Sequence, residues 1–369
     1  MTPSPGQVLH VQKVAGISGS EAHLLQLLPA LRERGWDVEF LMLHEDEPGA
    51  WEFARELRAR GVPLEDVRLR ADVDPIAYSE VATLLARRRP RILHTHLVHA
   101  DVYGQIAGAM ARTPLRLSTK HGFNWFREGR FFGLGDRAVA SLAHVHIAIS
   151  QGLARYLAEM EGFDEDGFEI VHYGIAAQNG VTPFAGSEPH LLCVGRLIPV
   201  KGHLVLLRAL AQARTRVPDL VLDIAGSGPL ERALRAYARE LGLGDAVRFL
   251  GFVSPVQMAI ESASVVVVPS LGEGFGMVAL EAMERGRPVI ASAVGGLPEI
   301  VADGETGLVV SPGDAEELAE AMVTLASDPS RAAAMGEAGR GRALESFTQE
   351  RSTNAVEALY RRELDSSSS

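Results

Sequence analysis

The sequence predicts an α/β protein made of two doubly wound halves. Three observations predict it. Short apolar strands and amphipathic helices alternate along the whole chain of 369 residues, too long for one ordinary domain. A Gly-, Pro- and Ser-rich stretch, GVTPFAGSEP at 180–189, interrupts that alternation near the middle. On either side of it the strands end in glycine turns that open helices, as in open parallel sheets that bind ligands beyond their carboxyl ends. The expected division is an N-terminal Rossmann-like domain over 1–183, a C-terminal one over 184–350, and a terminal segment, 351–369, that crosses back toward the first half before a disordered Ser tail. Two such domains facing each other across a cleft would place the active site there.

In chain order, the first strand is Val8–Val11. The turn AGISGS follows, then a helix from about Glu21 to Arg34, with Leu24, Leu27, Leu28 and Leu31 at helical spacing and Pro29 as an expected kink. Val38–Leu43 is a strand and Trp51–Arg60 a helix closed by Gly61. Ile76–Arg89 is a helix leading into strand Ile92–His96. A helix near 100–110, strand Arg116–Lys120, an aromatic loop at 121–135, a helix at 136–143 and strand Val145–Ser150 come next, and strand Glu169–His172 ends this half. The second series has strands at Leu191–Val194, Leu220–Ala225, Val247–Leu250, Val265–Pro269, Val289–Ala291 and Leu308–Val310. Its helices are expected at 203–216, 230–241, around Glu281, and late in the chain at 314–327, 331–346 and 351–363.

Composition excludes several classes. Hydrophobic residues at 47% with 22% charged describe a globular protein, and a net charge of −11 argues against general nucleic-acid binding. The single cysteine, Cys193, lies in an apolar run and reads as a buried, reduced thiol. No secretory signal is visible, and no apolar run is long enough to span a bilayer. The expected location is therefore the cytoplasm, with the inner membrane face as a peripheral option.

Candidate chemistry gathers at 195–202 and 264–301. Arg196 and Lys201 follow a strand end, where a guanidinium and an ammonium can grip phosphate oxygens. The turn GEGFGM at 272–277 lets backbone approach a ligand, and the helix it opens offers free N–H groups. Glu273 lies in that turn. Glu281 lies about five residues into the helix, roughly 7–8 Å further along its axis. Two carboxylates so offset suit hydroxyl groups on either side of a diphosphate. AGSGPLE at 225–231 is not a dinucleotide fingerprint, because Glu231 stands where the third glycine belongs.

His94, His96, His99 and His121 could suggest a metal, since His94 and His96 alternate on one strand face. A hydrogen-bonded scaffold is the favoured reading, and no metal is expected. Asp72-Val73-Asp74 resembles a metal-binding D-x-D but falls in the wrong half, and is read as surface. In HGFNWFREGRFFGLG, Phe123, Trp125, Phe126, Phe131 and Phe132 are interleaved with Arg127 and Arg130. A packed satellite core is favoured there over a lip that touches a lipid-linked substrate or an anionic membrane.

Taken together, GISGSE at 16–21, HTH at 94–96, KHG at 120–122, GRL…KG at 195–202, AGSGP at 225–229, GF at 251–252 and the stretch 273–299 resemble the retaining glycosyltransferases of family 4, with the GT-B fold and the E-x7-E signature. The resemblance covers nearly the whole chain. It implies that Arg196 and Lys201 neutralise the diphosphate leaving group and that Glu281 binds the ribose hydroxyls. It further implies that Glu273, with the amides of Gly274, Phe275, Gly276 and Met277, holds the transferred sugar, and that His121 lies near that sugar. Gly16 and Gly19 would lie against the diphosphate or the acceptor. Here the loop reads GISG where relatives often read GG-A-E, so Glu21 is expected to cap or orient its helix. His96, Asn124 and Trp125 are the acceptor candidates. The implied reaction moves a hexose-type sugar from a UDP-sugar or GDP-mannose to a hydroxyl of a sugar, lipid-linked or small-molecule acceptor, without a metal or other cofactor. Another GT-B enzyme, an epimerase or phosphorylase, or a non-catalytic sugar-nucleotide-binding subunit remain the alternatives.

Overall fold

The computed structural model describes residues 7–123, 137–177 and 189–366. The acceptor candidates Asn124 and Trp125, most of the aromatic loop and nearly all of the 180–189 stretch lie outside the described residues. The chain divides into two compact units, Met1–Gly174 with Gln349–Ser369, and Ile175–Thr348.

The first unit carries a seven-stranded parallel sheet. Its strands are β1 (Gln7–Lys13), β2 (Asp37–His44), β3 (Leu64–Arg68), β4 (Ile92–His96), β5 (Leu115–Lys120), β6 (Val145–Ala148) and β7 (Phe168–Ile170), in the order β3-β2-β1-β4-β5-β6-β7. The order reverses direction between β1 and β4, which pair with His10 beside His94 and Gln12 beside His96. That reversal is the topological switch point, where an open α/β sheet leaves a crevice beyond its strand ends.

Strand alternation fixes two apolar layers. Val8, Phe40, Met42, Ile92 and Leu117 pack with helices α1 (Gly19–Glu33) and α2 (Pro48–Ala59) on one side, together with the terminal helix Gln349–Ser366. Leu9, Val11, Leu41, Leu43 and Leu93 pack on the other side with α3 (Pro75–Arg88). Helix α1 continues through Pro29 to Glu33. The terminal helix joins the first core through Val356, Leu359, Tyr360 and Leu364, and Tyr360 is fully buried.

The second unit has a six-stranded parallel sheet of β8 (His190–Val194), β9 (Val221–Ala225), β10 (Val247–Gly251), β11 (Val265–Val268), β12 (Val289–Ser292) and β13 (Gly307–Val310). Their order is β10-β9-β8-β11-β12-β13. Its switch point lies between β8 and β11. All four residues of β11 are buried, as expected for a strand covered on both faces.

Two expectations are corrected. Strand β3 carries a single buried residue, Val67, so it gives almost no apolar pattern in the sequence. Asp74 is not surface. It is 5% exposed and caps α3, accepting from the amides of Ile76 at 2.9 Å and Ala77 at 3.2 Å. Its neighbour Asp72 is the solvated one.

Gly202 ties the second unit's switch point together. It has φ +70°, and a Cβ there would stand 1.9 Å from the carbonyl oxygen of Pro269, at the end of β11. Gly242 shares a positive φ of +69° but faces open space. Gly202→Ala should therefore cost roughly 2–4 kcal/mol, from conformational strain plus a clash with backbone, against about 1 kcal/mol for Gly242→Ala. Urea unfolding of the two variants checks this, and equal losses would contradict it.

Candidate functional site

The loops after β8, β9 and β11 build one surface in the second unit. The loop after β8 carries Gly195, Arg196 and Leu197. Its backbone is held by the next loop: the Gly195 amide donates to Ala225 O at 2.9 Å, and the Leu197 amide to Ser227 O at 2.9 Å. A Cβ on Gly226 would meet Gly195 O at 1.9 Å, and one on Gly228 would meet Leu197 O at 2.6 Å. The AGSGP glycines thus serve close packing under the cation loop. On the other side the Leu271 amide donates to Val200 O at 2.7 Å, which fastens the Lys201 turn to the loop after β11.

Lys201 and Glu273 meet across this junction. Lys201 Nζ donates to Glu273 Oε2 at 2.7 Å, and Ser270 Oγ donates to the same oxygen at 3.0 Å. Both side chains are partly buried, at 24% and 16% exposure, so the pair is screened less than a surface pair. Glu273 Oε1 has no partner among the described residues and is free to accept from a hydroxyl group. Arg196 is exposed and has no partner among the described residues. An exposed guanidinium on the same loop as an ammonium held by Glu273 is a setting in which a diphosphate can be gripped.

Gly276 has φ +115° and caps the helix Met277–Glu284. Phe275 is buried and meets Phe347 edge-on at 6.0 Å between centroids, so its side chain anchors the turn. Glu281 lies one turn further on. Burial of its carboxyl pushes its pKa from 4.5 up to about 7, with Arg285 opposing the rise and Glu284 adding to it. Arg285 is itself engaged by Glu261 at 2.5 Å. A carboxyl left short of solvent and without a dedicated cation gains by accepting hydrogen bonds from ligand hydroxyls. Cys193, behind the loop on β8, is buried, and burial pushes its thiol up to about 12.

In the first unit, Gly16 lies in the turn after β1. A Cβ on Gly49 would meet Ala15 O at 2.6 Å and Gly16 Cα at 2.8 Å, so a glycine that sequence reasoning missed keeps this turn in place. Gly19 is the first residue of α1. Glu21 orients the helix start as expected: its Oε2 accepts from Ser18 N at 3.1 Å and Ser18 Oγ at 2.6 Å, and its Oε1 from Gln12 Nε2 at 2.5 Å.

The expectation for His96 is corrected. It is 1% exposed, and its two ring nitrogens are taken by His10 and His121, so it does not face an acceptor. His121 is half-buried, and its own ring nitrogens reach His96 and Tyr173. Ligand atoms of His10, His94 and His96 lie within 4.8 Å of one another, a spacing compatible with a metal. Each of these nitrogens also has a hydrogen-bond partner within the protein. Among the described residues no helix is long and apolar enough to cross a membrane.

Two parallel-sheet units, each with its loops gathered at a switch point, define the class to which solved structures correspond. The chain superimposes on HepE of Anabaena, in complex with UDP and glucose, with a TM-score of 0.84 at 21% identity, covering 97% of this chain and 100% of that one. It superimposes on a sucrose-phosphate synthase of Thermosynechococcus elongatus with a TM-score of 0.79 at 25% identity, covering 98% and 99%. The fold is GT-B. The family model described as "Glycosyl transferase 4-like domain" matches residues 18–174, and "Glycosyl transferases group 1" matches residues 176–342. The chain belongs to the family 4 glycosyltransferases. It is 40% identical over 171 residues to a GDP-mannose-dependent alpha-(1-6)-phosphatidylinositol monomannoside mannosyltransferase of Mycolicibacterium smegmatis, covering 44% of this chain and 45% of that one. It is 35% identical over 223 residues to a D-inositol 3-phosphate glycosyltransferase of Nocardia farcinica, covering 55% and 49%. These matches span about half the length of each relative. An alpha-maltose-1-phosphate synthase of Mycolicibacterium smegmatis aligns over 93% of this chain and 95% of its own at 28% identity.

The raised pKa of Glu281 has a signed consequence. The folded state holds this proton more tightly than the unfolded chain does. Its stabilising contribution is therefore complete below pH 4.5 and is lost as pH rises through about 7. Glu281→Gln removes the penalty and should stabilise the protein at pH 8 by on the order of 2 kcal/mol while changing little at pH 4. Denaturant unfolding at the two pH values checks this. An equal effect at both would mean that the carboxyl titrates normally.

Proposed function

We propose that this protein transfers a hexose-type sugar from a nucleoside-diphosphate sugar to an acceptor hydroxyl, with retention of anomeric configuration and without a metal. The observation that carries the reading is the Lys201–Glu273 ion pair at 2.7 Å beside the glycine-capped helix start. It sets a cation for phosphate and a carboxylate for sugar hydroxyls within one contact of each other. Glu281 takes the ribose hydroxyls, and the amides of Gly274 to Met277 take the sugar. Arg196 swings onto the diphosphate. The loop at Gly16 and Gly19 belongs to the diphosphate or acceptor side, in the first unit.

In the reaction, the bond from the anomeric carbon to the diphosphate oxygen breaks and the pair of electrons leaves with the phosphate. A new bond forms from the acceptor oxygen to the same face of that carbon. The acceptor proton passes to the departing phosphate oxygen, so no side-chain nucleophile or base is required. Negative charge grows on the leaving group, and Lys201 and Arg196 are preorganised cations for it. They supply the charge that a divalent ion supplies elsewhere. Relatives named for GDP-mannose, and solved structures containing UDP, support a purine or a pyrimidine donor equally. The acceptor is a hydroxyl of a sugar, a lipid-linked sugar or a small polyol, and a lipid-linked one would bring the protein to a membrane surface.

A nucleotide panel read by thermal shift identifies the donor, since a ligand at a hundred times its Kd adds about 2.7 kcal/mol. Transfer assays with that donor then test the reaction, and turnover without any acceptor transfer would favour an epimerase. Lys201→Ala should lower kcat/KM on the order of a hundredfold or more. Near-normal turnover would sink the leaving-group role. Activity should survive a chelator, and strict dependence on added divalent ion would refute the metal-free site.

A further inference from the structure

The switch point of the first unit holds three buried histidines and a fourth, half-buried one, joined end to end. His10 Nδ1 is 2.9 Å from His96 Nε2, and His96 Nδ1 is 2.9 Å from His121 Nε2. The hydroxyl of Tyr360 stands between His94 Nδ1, at 2.6 Å, and His10 Nε2, at 3.2 Å. The two ends are closed by Thr119 Oγ1, 2.6 Å from His94 Nε2, and by the Tyr173 hydroxyl on His121 Nδ1. The rings also stack, with His94 and His96 4.3 Å apart between centroids.

Burial holds these imidazoles neutral. It pushes His94 down to about 3 and His10, His96 and His121 well below the usual value. Other charged or titratable groups against the cluster are His23, Lys120 and Glu21. A neutral imidazole has one N–H and one bare nitrogen. Tyr360 is fully buried and has one proton for two ring nitrogens, so it donates to one and accepts from the other. Every link joins the Nδ1 side of one ring to the Nε2 side of the next. The choice made at one ring therefore dictates the rest. Either all four rings are Nδ1–H, with bonds running from Thr119 toward Tyr173, or all four are Nε2–H, with every bond reversed. A ring of the opposite kind would leave two donors or two acceptors facing each other, at the cost of a buried unmet bond.

We propose that these residues form a single hydrogen-bonded wire whose four imidazoles share one tautomer, and that Tyr360, on the terminal helix, acts through it as a positioning residue that sets which nitrogen of His121 carries the proton. Helix Gln349–Ser366 is thereby coupled to His121, the half-buried member of the cluster just beyond the end of β5. The functional arm rests on the reading of His121 as a neighbour of the transferred sugar. A hydroxyl of that sugar can displace Tyr173 or His96 from the ring only as a donor to a bare nitrogen or an acceptor from an N–H, and the wire decides which.

The test is nitrogen NMR of the intact protein labelled with ¹⁵N in its histidine rings, which reports the tautomer of each ring directly. The wild type should show His10, His94, His96 and His121 neutral and of one tautomer. Tyr360→Phe keeps the packing but can neither donate nor accept, so His94 is uncoupled from His10, His96 and His121, which the direct ring-to-ring bonds still hold to one tautomer, and the His121 ring signals should change. Thr119→Val, at the far end, removes the hydroxyl that closes the wire at His94; the four rings should still share one tautomer while the His121 ring signals change, and this variant serves if the first fails to fold. Rings of opposite tautomer in the wild type, a charged ring among the four, or a stoichiometric metal on the histidines would overturn the wire. Unchanged His121 ring signals in both variants would overturn the coupling. In the transfer assay Tyr360→Phe should lower kcat about tenfold while the donor KM stays within twofold. Altered tautomers with an unchanged kcat would leave the wire standing and remove His121 from the sugar site.

Discussion

The near contact of Gly202 with the Pro269 carbonyl is the constraint on which the candidate site depends. Two loops that follow adjacent strands β8 and β11 can meet only where one of them has no side chain. That approach brings Lys201, on one loop, to 2.7 Å from Glu273, on the other. The glycines at 226 and 228 repeat the device one strand over, pressing the β9 loop under Gly195 and Leu197. Glycine here permits backbone to rest on backbone, and the charged side chains are positioned as a result. A parallel sheet makes this economical, because all its strand ends, and so all their loops, emerge on one edge.

Both units gather polar groups at the switch point, but they treat them differently. The second unit leaves Arg196 exposed and Lys201 partly buried, and draws a carboxyl, Glu281, far enough from solvent that its pKa rises in response. The first unit buries imidazoles and satisfies every ring nitrogen among His10, His94, His96 and His121 within the protein. A desolvated carboxyl gains when a ligand's hydroxyl groups arrive, whereas a satisfied imidazole chain has nothing further to gain. The second arrangement suits binding, and the first suits holding geometry.

Much of the fold was legible because buried parallel strands advertise themselves. Val265–Val268 and Ile92–His96 are apolar or β-favouring runs bounded by turns, and the helices between them keep a helical period. Strand β3 was missed because an edge strand with one buried residue has no such run. In the candidate site, Arg196, Lys201, Glu273 and Glu281 sit in short motifs and were legible as candidates for that reason. Gly49 was not, because its only task is to leave room for Ala15 and Gly16, and nothing local in the sequence records that. Asp74 was misread for a related reason. Its carboxylate serves the backbone of its own helix, a use that a D-x-D pattern does not reveal.

The sequence by itself determined the two α/β halves and the family, and supplied the list of candidate site groups, because these depend on local pattern and on residue types at fixed spacing. Tertiary structure alone decided what those groups experience. Glu281 became a weak acid through burial. His96 passed from acceptor candidate to interior link because β1 brought His10 beside it and the terminal helix brought Tyr360, 266 residues downstream of His94, into the same cluster. Burial, hydrogen-bond partner and tautomer are properties of neighbours in space, and the chain's order does not contain them until the sheet has formed.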